Sequence, residues 1–317
     1  MGRFLLRRLA SAAVVLFTVS VLTFLIFEVI PNGNPALRLA GRTATPANIA
    51  AVEKAYGFNK PVYVQYLKTM EEVFTGRIVS YAQNLNVVSQ LRQDLPVTAS
   101  LVLGAAVVWL VLGIVLGLTA GLHAGGPIDK AITVLNFLGI SAPSFVIGYV
   151  LIYLLSFKLH VFPSSGYVGL SDPLGWADHL VMPWFSLAIL YTGIYSQVLR
   201  ASVVDTLSED HVRTAKAKGL SRRRVLVHHV LRTSLIPIVS LSGLDIAAVL
   251  GGSAIIIEVV FNLPGIGNYA SQAIGALDVP PVLVITLFGA FAVVIFSTVA
   301  DILYAALDPR IRATGSR

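Results

Sequence analysis

The chain is 317 residues long, 56% hydrophobic and only 12% charged, against about 25% charged in a soluble domain. That composition excludes an ordinary soluble protein and points to an integral membrane chain. The lack of cysteine excludes disulfides, thiolate zinc sites and thiol catalysis, and the net charge of +7 sits between apolar runs, which makes it a topology signal and argues against nucleic acid as a partner.

Arg3, Arg7 and Arg8 precede Leu9–Ile30, a nearly unbroken apolar run. At ~1.5 Å per residue it is long enough to cross a bilayer. A cleavable signal peptide has a shorter apolar region and a small-residue cleavage site. Residues 1–30 are therefore expected to be a tail and an uncleaved first span, entered from the cytoplasm. Residues 31–97 form the longest polar segment and open on the turn cluster Pro31-Asn32-Gly33-Asn34-Pro35. Ile49–Tyr56 and Tyr63–Phe74 read as short helices within it. A segment this long is usually more than a linker, and an extracytoplasmic loop domain is expected.

The second span is expected at Thr98–Leu122, rich in Gly104, Ala105, Ala106, Gly113, Gly117, Ala120 and Gly121, small residues that allow close helix approach in lipid. The third, Ala131–Phe157, is interrupted at residues 139–144 by Pro143, which lacks an N–H. A loop to about Met182 leads to the fourth span, Pro183–Ser202. The fifth, Ile236–Phe261, holds Asp245 and Glu258 and is broken at Gly251-Gly252. Pro264-Gly265 follows, a pair that favours a type II turn. The sixth is Val282–Leu307, with Asp301 near its end. With the N-terminus inside, the cytoplasmic pieces hold 3, 1, 8 and 3 Lys or Arg, and the short outer loops hold 1 and 0. Six spans with both termini cytoplasmic satisfy the positive-inside bias.

The most charged stretch is residues 206–237. It reads as two short helices with a break at Gly219, where a left-handed residue is needed. Ser208 is the expected N-cap of the first. Arg222, Arg223 and Arg224 crowd the start of the second, against its dipole. Two readings follow: a basic loop resting on anionic headgroups, or a rigid element that docks a cytoplasmic partner.

No P-loop string, HExxH or GxSxG occurs, and all six histidines fall in loops or at span ends. Neither an ATPase nor an intramembrane hydrolase is expected. Asp245, Glu258 and Asp301 are acids at membrane depth, where they rarely face lipid. Each is a candidate for a buried brace. Asp245 is also a candidate cavity anion, and Glu258 with Pro264 and Gly265 a candidate gate.

Arg213-Thr214-Ala215, then Gly219, then Pro237 resembles the cytoplasmic "EAA" loop of permease subunits of binding-protein-dependent ABC transporters. Thr214-Ala215-Lys216-Ala217-Lys218-Gly219, with His229 ahead of Pro237, is similar to the dipeptide, oligopeptide and nickel branch, first-permease type. So are Tyr56-Gly57-Phe58-Asn59-Lys60-Pro61 with Gln65-Tyr66, Phe162–Gly166, Glu258–Gly267 and Asp308-Pro309-Arg310. The resemblance runs in order from residue 3 to residue 312. It departs at Arg213, where the family's motif has Glu, and at Asn34 and Gly76-Arg77, where the family has acidic pairs.

The resemblance implies an all-α, MetI-like importer permease with a core over 98–317 and a coupling loop at 205–236. It implies that Arg213, Thr214, Ala215, Lys216, Lys218, Gly219, Arg222, Arg223, Arg224 and His229 meet an ATPase cleft. The implied partners are a second homologous permease, two cytoplasmic ATPases that carry ATP and Mg, an extracytoplasmic binding protein and membrane lipid. No cofactor is implied on this chain. Small peptides are the implied cargo, with nickel or glutathione as alternatives within the family. A secondary transporter is the rival from another class, though neither inverted repeats nor coupling-ion residues are visible.

Overall fold

A computed structural model describes residues 2–29, 36 and 45–307, with side chains at 10–27, 29, 36 and 45–299. The turn cluster 31–35 with Asn34, the side chains of Arg3, Arg7, Arg8, Asp301 and Tyr304, and the string 308–310 lie outside the described residues. The regular structure of the described residues is all helical, apart from one isolated antiparallel bridge between Val79 and Asn86.

Five helices among the described residues are long and apolar enough to cross a membrane: Ala10–Phe27, Val87–Leu122, Pro173–Leu207, Ile236–Val260 and Val279–Val299. Pro127–Ser141 and Ser144–Lys158 make a sixth if counted together, but they meet at a bend of 100°. The bend falls at Ala142-Pro143, within the interruption expected from sequence. Proline cannot donate to the carbonyl one turn back and pushes the preceding residue into extended backbone; Ala142 has φ −86° and ψ 125°.

Two spans start earlier than the sequence suggests. The second begins at Val87 rather than Thr98, and the fourth at Pro173 rather than Pro183. Side-chain caps explain both. Asn86 Oδ1 accepts from Ser89 N (2.8 Å) and Asp172 Oδ1 from Gly175 N (3.1 Å), each satisfying an orphan donor of a first turn. Pro96 and Pro183 then lie inside helices, where burial of neighbours such as Val97, Leu180 and Met182 offsets the lost hydrogen bond.

The chain forms two compact units, residues 1–96 with 264–294, and 97–263 with 295–317. In the first, Pro46–Tyr56 and Val62–Phe74 are joined by Gly57, whose positive φ (79°) closes the earlier helix. Gln65 Nε2 donates to the carbonyls of Phe58 and Lys60 and so folds the 57–61 turn. Two small apolar clusters hold this unit together, one around Ile78, Val87, Tyr269 and Val284, the other around Phe24, Met70 and Leu283.

The second unit has one large core with Trp109, Tyr195, Leu199, Val203, Ile257 and Phe261 at its centre. Close approach of the 87–122 and 173–207 helices depends on the glycine stripe. A Cβ at Gly117 would stand 2.6 Å from the Ser196 carbonyl oxygen, and one at Gly113 2.7 Å from Tyr195 Cβ. In lipid there is no hydrophobic force to press helices together, so such backbone contact carries much of the packing.

Candidate functional site

The basic element is built on an apolar footing. Asp210–Ala217 is an amphipathic helix whose Val212 and Ala215, three residues apart, are buried in the core of the second unit with Val225 and Val230. Arg213, Thr214, Lys216 and Lys218 are exposed on the other side. Ala215, grouped with them on sequence grounds, is turned into the core. The helix closes as expected at Gly219 (φ 74°), with Leu220 N donating to Ala215 O at 3.3 Å and Gly219 N to Lys216 O at 3.0 Å. Ser208, however, is not its N-cap. The preceding helix runs on through Leu207, and Ser208 Oγ donates to Asp205 O (2.7 Å) at that helix's end. Glu209 takes the N-cap position instead and holds His211 Nδ1 at 2.9 Å.

Ser221 starts the next helical stretch with no side-chain capping bond, and Arg222, Arg223 and Arg224 stand exposed at its first turn. Three cations at the positive end of a helix oppose its dipole, and nothing among the described residues accounts for them. The stretch is nevertheless held in place. His211 Nε2 lies 3.2 Å from the carbonyl oxygen of half-buried His229, and Ser234 Oγ donates to Ser202 O (3.3 Å) and meets Thr206 Oγ1 at 3.2 Å.

Of the acids at membrane depth, Asp245 and Glu258 have partners. Asp245 Oδ2 accepts from the buried Tyr195 hydroxyl at 2.6 Å, beside an aromatic group in which Trp109 packs against Tyr191 with centroids 4.7 Å apart and rings tilted by 30°. Glu258 is fully buried and accepts from Thr98 Oγ1 at 2.6 Å. The turn after it differs from expectation. Pro264-Gly265 is not a type II turn, since Gly265 has φ −110° and ψ 175° and leads straight into the helix Ile266–Gly275. The left-handed residue is Asn262 (φ 47°), which lets Leu263 N donate to Glu258 O at 2.8 Å and closes the preceding helix.

Three polar arrangements were not found from sequence. Arg200 binds Asp129 through Nε and Nη2, and Gly125 N adds a bond to the same carboxylate at 2.8 Å. This fork fastens the 123–130 loop to the end of the 173–207 helix. Buried Asp278 accepts from Ser80 Oγ, Tyr81 N (2.9 Å) and Ala82 N (3.3 Å). Buried Asp94, held by Gln90 Nε2 at 2.9 Å, lines a polar cavity of about 140 Å³ with Gln83, Pro264, Gly265, Asn268, Tyr269 and Gln272. Burial, then the carboxylates of Asp278 and Asp94, pushes the Tyr269 hydroxyl up to about 12. Arg200 and Asp129 lie 71 residues apart, Ser80 and Asp278 198, and the cavity joins residues 83–94 to residues 264–272; only the presence of acids next to apolar runs marked them.

Residues 111–313 match the family described as binding-protein-dependent transport system inner membrane component, and residues 1–102 match its N-terminal counterpart. The chain is 35% identical to the dipeptide transport system permease protein DppB of Lactococcus lactis, covering 98% of this chain and 100% of that one. It is 33% identical to the oligopeptide transport system permease protein AppB of Bacillus subtilis, covering 98% and 99%. A probable peptide ABC transporter permease of Sinorhizobium fredii is 34% identical, covering 98% and 100%. Among solved structures, the crystal structure of an amino acid ABC transporter with histidines superimposes with a TM-score of 0.54 over 69% of this chain and 94% of that chain, at 14% identity. That likeness is one of fold.

Proposed function

The chain belongs to the family of inner membrane components of binding-protein-dependent transport systems, and from that premise we propose that it is the permease subunit of an ATP-driven importer of small peptides. Relatives named for peptide, dipeptide and oligopeptide transport match it over nearly their whole length, which supports peptides over nickel or glutathione as cargo. An extracytoplasmic binding protein delivers the peptide, and two cytoplasmic ATPases supply the work. A second, related permease completes the path. Both termini and the 205–236 loop face the cytoplasm.

The observation that carries this reading is the exposed basic face of 213–224 on its buried footing of Val212 and Ala215. A loop that rested only on headgroups would need no fixed shape, because attraction to an anionic surface does not depend on geometry. This one is fixed by two buried side chains, a left-handed closure and the Ser234 bonds. A rigid convex element transmits motion from an ATPase cleft to the spans on either side of it.

Cross-linking tests the assignment. The chain has no cysteine, so Lys216→Cys introduces a single thiol. In membranes that hold the whole transporter, Lys216→Cys should cross-link to an ATPase subunit, with a yield that changes when ATP is added. A control at Ser171→Cys should not. An assembled transporter in which Lys216→Cys reaches no ATPase would remove the docking role.

A further inference from the structure

The polar cavity of the first unit has a composition unlike its surroundings. It is small, about 140 Å³, room for a few waters at roughly 30 Å³ each. Asp94, 5% exposed, is the one ionisable carboxylate that lines it, and no Lys or Arg does. Four carboxamides, from Gln83, Gln90, Asn268 and Gln272, line the rest together with Tyr269. The Tyr269 side chain is 6% exposed, and its hydroxyl has no hydrogen-bond partner among the described residues. Buried polar groups are almost always satisfied, so one that is not calls for a ligand or another explanation. Asp94 receives one hydrogen bond among the described residues, from Gln90, although a buried carboxylate can accept several.

We infer that this cavity binds a primary ammonium group, and that it takes the free amino terminus of a peptide during import. The inference rests on the peptide-importer reading for the identity of the cargo. The chemistry is independent of it. An ammonium carries one positive charge and three N–H donors. The cavity offers one carboxylate and several carboxamide oxygens as acceptors, and its wall includes Tyr269, whose buried hydroxyl is unpartnered among the described residues. The carboxylates of Asp94 and Asp278 both act on the Tyr269 hydroxyl and make its surroundings negative. A bound cation would neutralise a carboxylate that burial otherwise leaves poorly solvated. Divalent metals fit less well, since no group of three or more His, Asp or Glu side chains suited to a metal occurs among the described residues. The volume admits an ammonium and the first atoms behind it, so the pocket reads the end of a peptide and not its side chains. Pro264 and Gly265 line the same cavity, so a bound terminus would touch the turn that follows the fifth span.

Direct binding to the complete transporter in nanodiscs, without the binding protein, tests this. The probes are radiolabelled dialanine, N-acetyl-dialanine and n-propylammonium, with potassium chloride as the competitor. Dialanine should bind and be displaced by n-propylammonium. N-acetyl-dialanine should bind at least tenfold more weakly, and potassium at equal concentration should displace little. Asp94→Asn should weaken dialanine binding tenfold or more. Tyr269→Phe removes a hydroxyl that bonds to nothing among the described residues, so it should fold normally and still weaken dialanine several-fold. Equal binding of dialanine by wild type and Tyr269→Phe, equal binding of the free and acetylated peptides, or displacement by potassium as readily as by n-propylammonium would overturn the inference. ATP hydrolysis stimulated by loaded binding protein in the same nanodiscs separates the two readings. If stimulation is present and amine selectivity absent, only the ammonium site falls; if stimulation is absent, the importer reading falls.

Discussion

Asp278 shows how much one carboxylate organises. Its oxygens gather a serine hydroxyl and two backbone N–H groups from the 80–82 turn. Removing it takes the acceptor from the buried Ser80 hydroxyl and from two less buried N–H groups, and a buried donor left unsatisfied costs about 1–3 kcal/mol. Asp278→Ala should therefore lower the thermal stability of the purified transporter and speed proteolysis within 76–86. Unchanged proteolysis there would show that the turn holds itself. Asp245 calls for a different expectation. Its bond to Tyr195 makes it a brace between the 173–207 and 236–248 helices. Asp245→Asn and Tyr195→Phe should each reduce the yield of assembled transporter, and together hardly more than either alone, since partners in one bond are not additive. Uptake of free and N-blocked peptides should fall in parallel. Selective loss of the free-amine peptide in Asp245→Asn would instead show an anion facing the path.

Among elements, the basic loop was the most legible in the sequence, and for a local reason. Gly219 after Lys216 and Lys218 is a helix end written in adjacent residues, and it takes the left-handed conformation expected. The break at Pro143 was equally local. Ser208 was misread because capping letters do not say which of two abutting helices they serve; the longer one kept it. The starts of the second and fourth spans were misplaced because Pro96 and Pro183 look like breakers, while Asn86 and Asp172 cap earlier first turns. The Asp129–Arg200 fork and the Asp94 cavity were not legible, since each depends on contacts between distant segments. Gly219 is where the loop's geometry is most open to test. No atom lies within 4 Å of a Cβ built there, so Gly219→Val meets only the left-handed penalty of roughly 1–2 kcal/mol. That is too little to unfold spans whose backbones are bonded internally, and enough to misalign the basic face. Gly219→Val should assemble, yet lose peptide uptake and hydrolyse ATP independently of the binding protein. Wild-type uptake with the ATPases still bound would show that the break needs no fixed geometry. In contrast, Gly117→Leu should fail at assembly, because its side chain meets Ser196 and Leu199 directly.

Two claims concern the whole molecule, its sidedness and its source of energy. Sidedness follows from charge, with eight of the 23 Lys and Arg residues between Arg200 and Arg232 inclusive. In intact cells an impermeant maleimide should label Ser171→Cys and leave Ser221→Cys untouched until lysis; labelling of the latter from outside would invert the topology. The claim about energy is the central one, and uptake into proteoliposomes measures it most directly. Vesicles holding this chain, the second permease proposed above and the two ATPases are given radiolabelled dipeptide on its binding protein. The account predicts accumulation only when ATP and magnesium are inside, unaffected by an uncoupler. Accumulation without ATP that collapses with the ion gradient would contradict it.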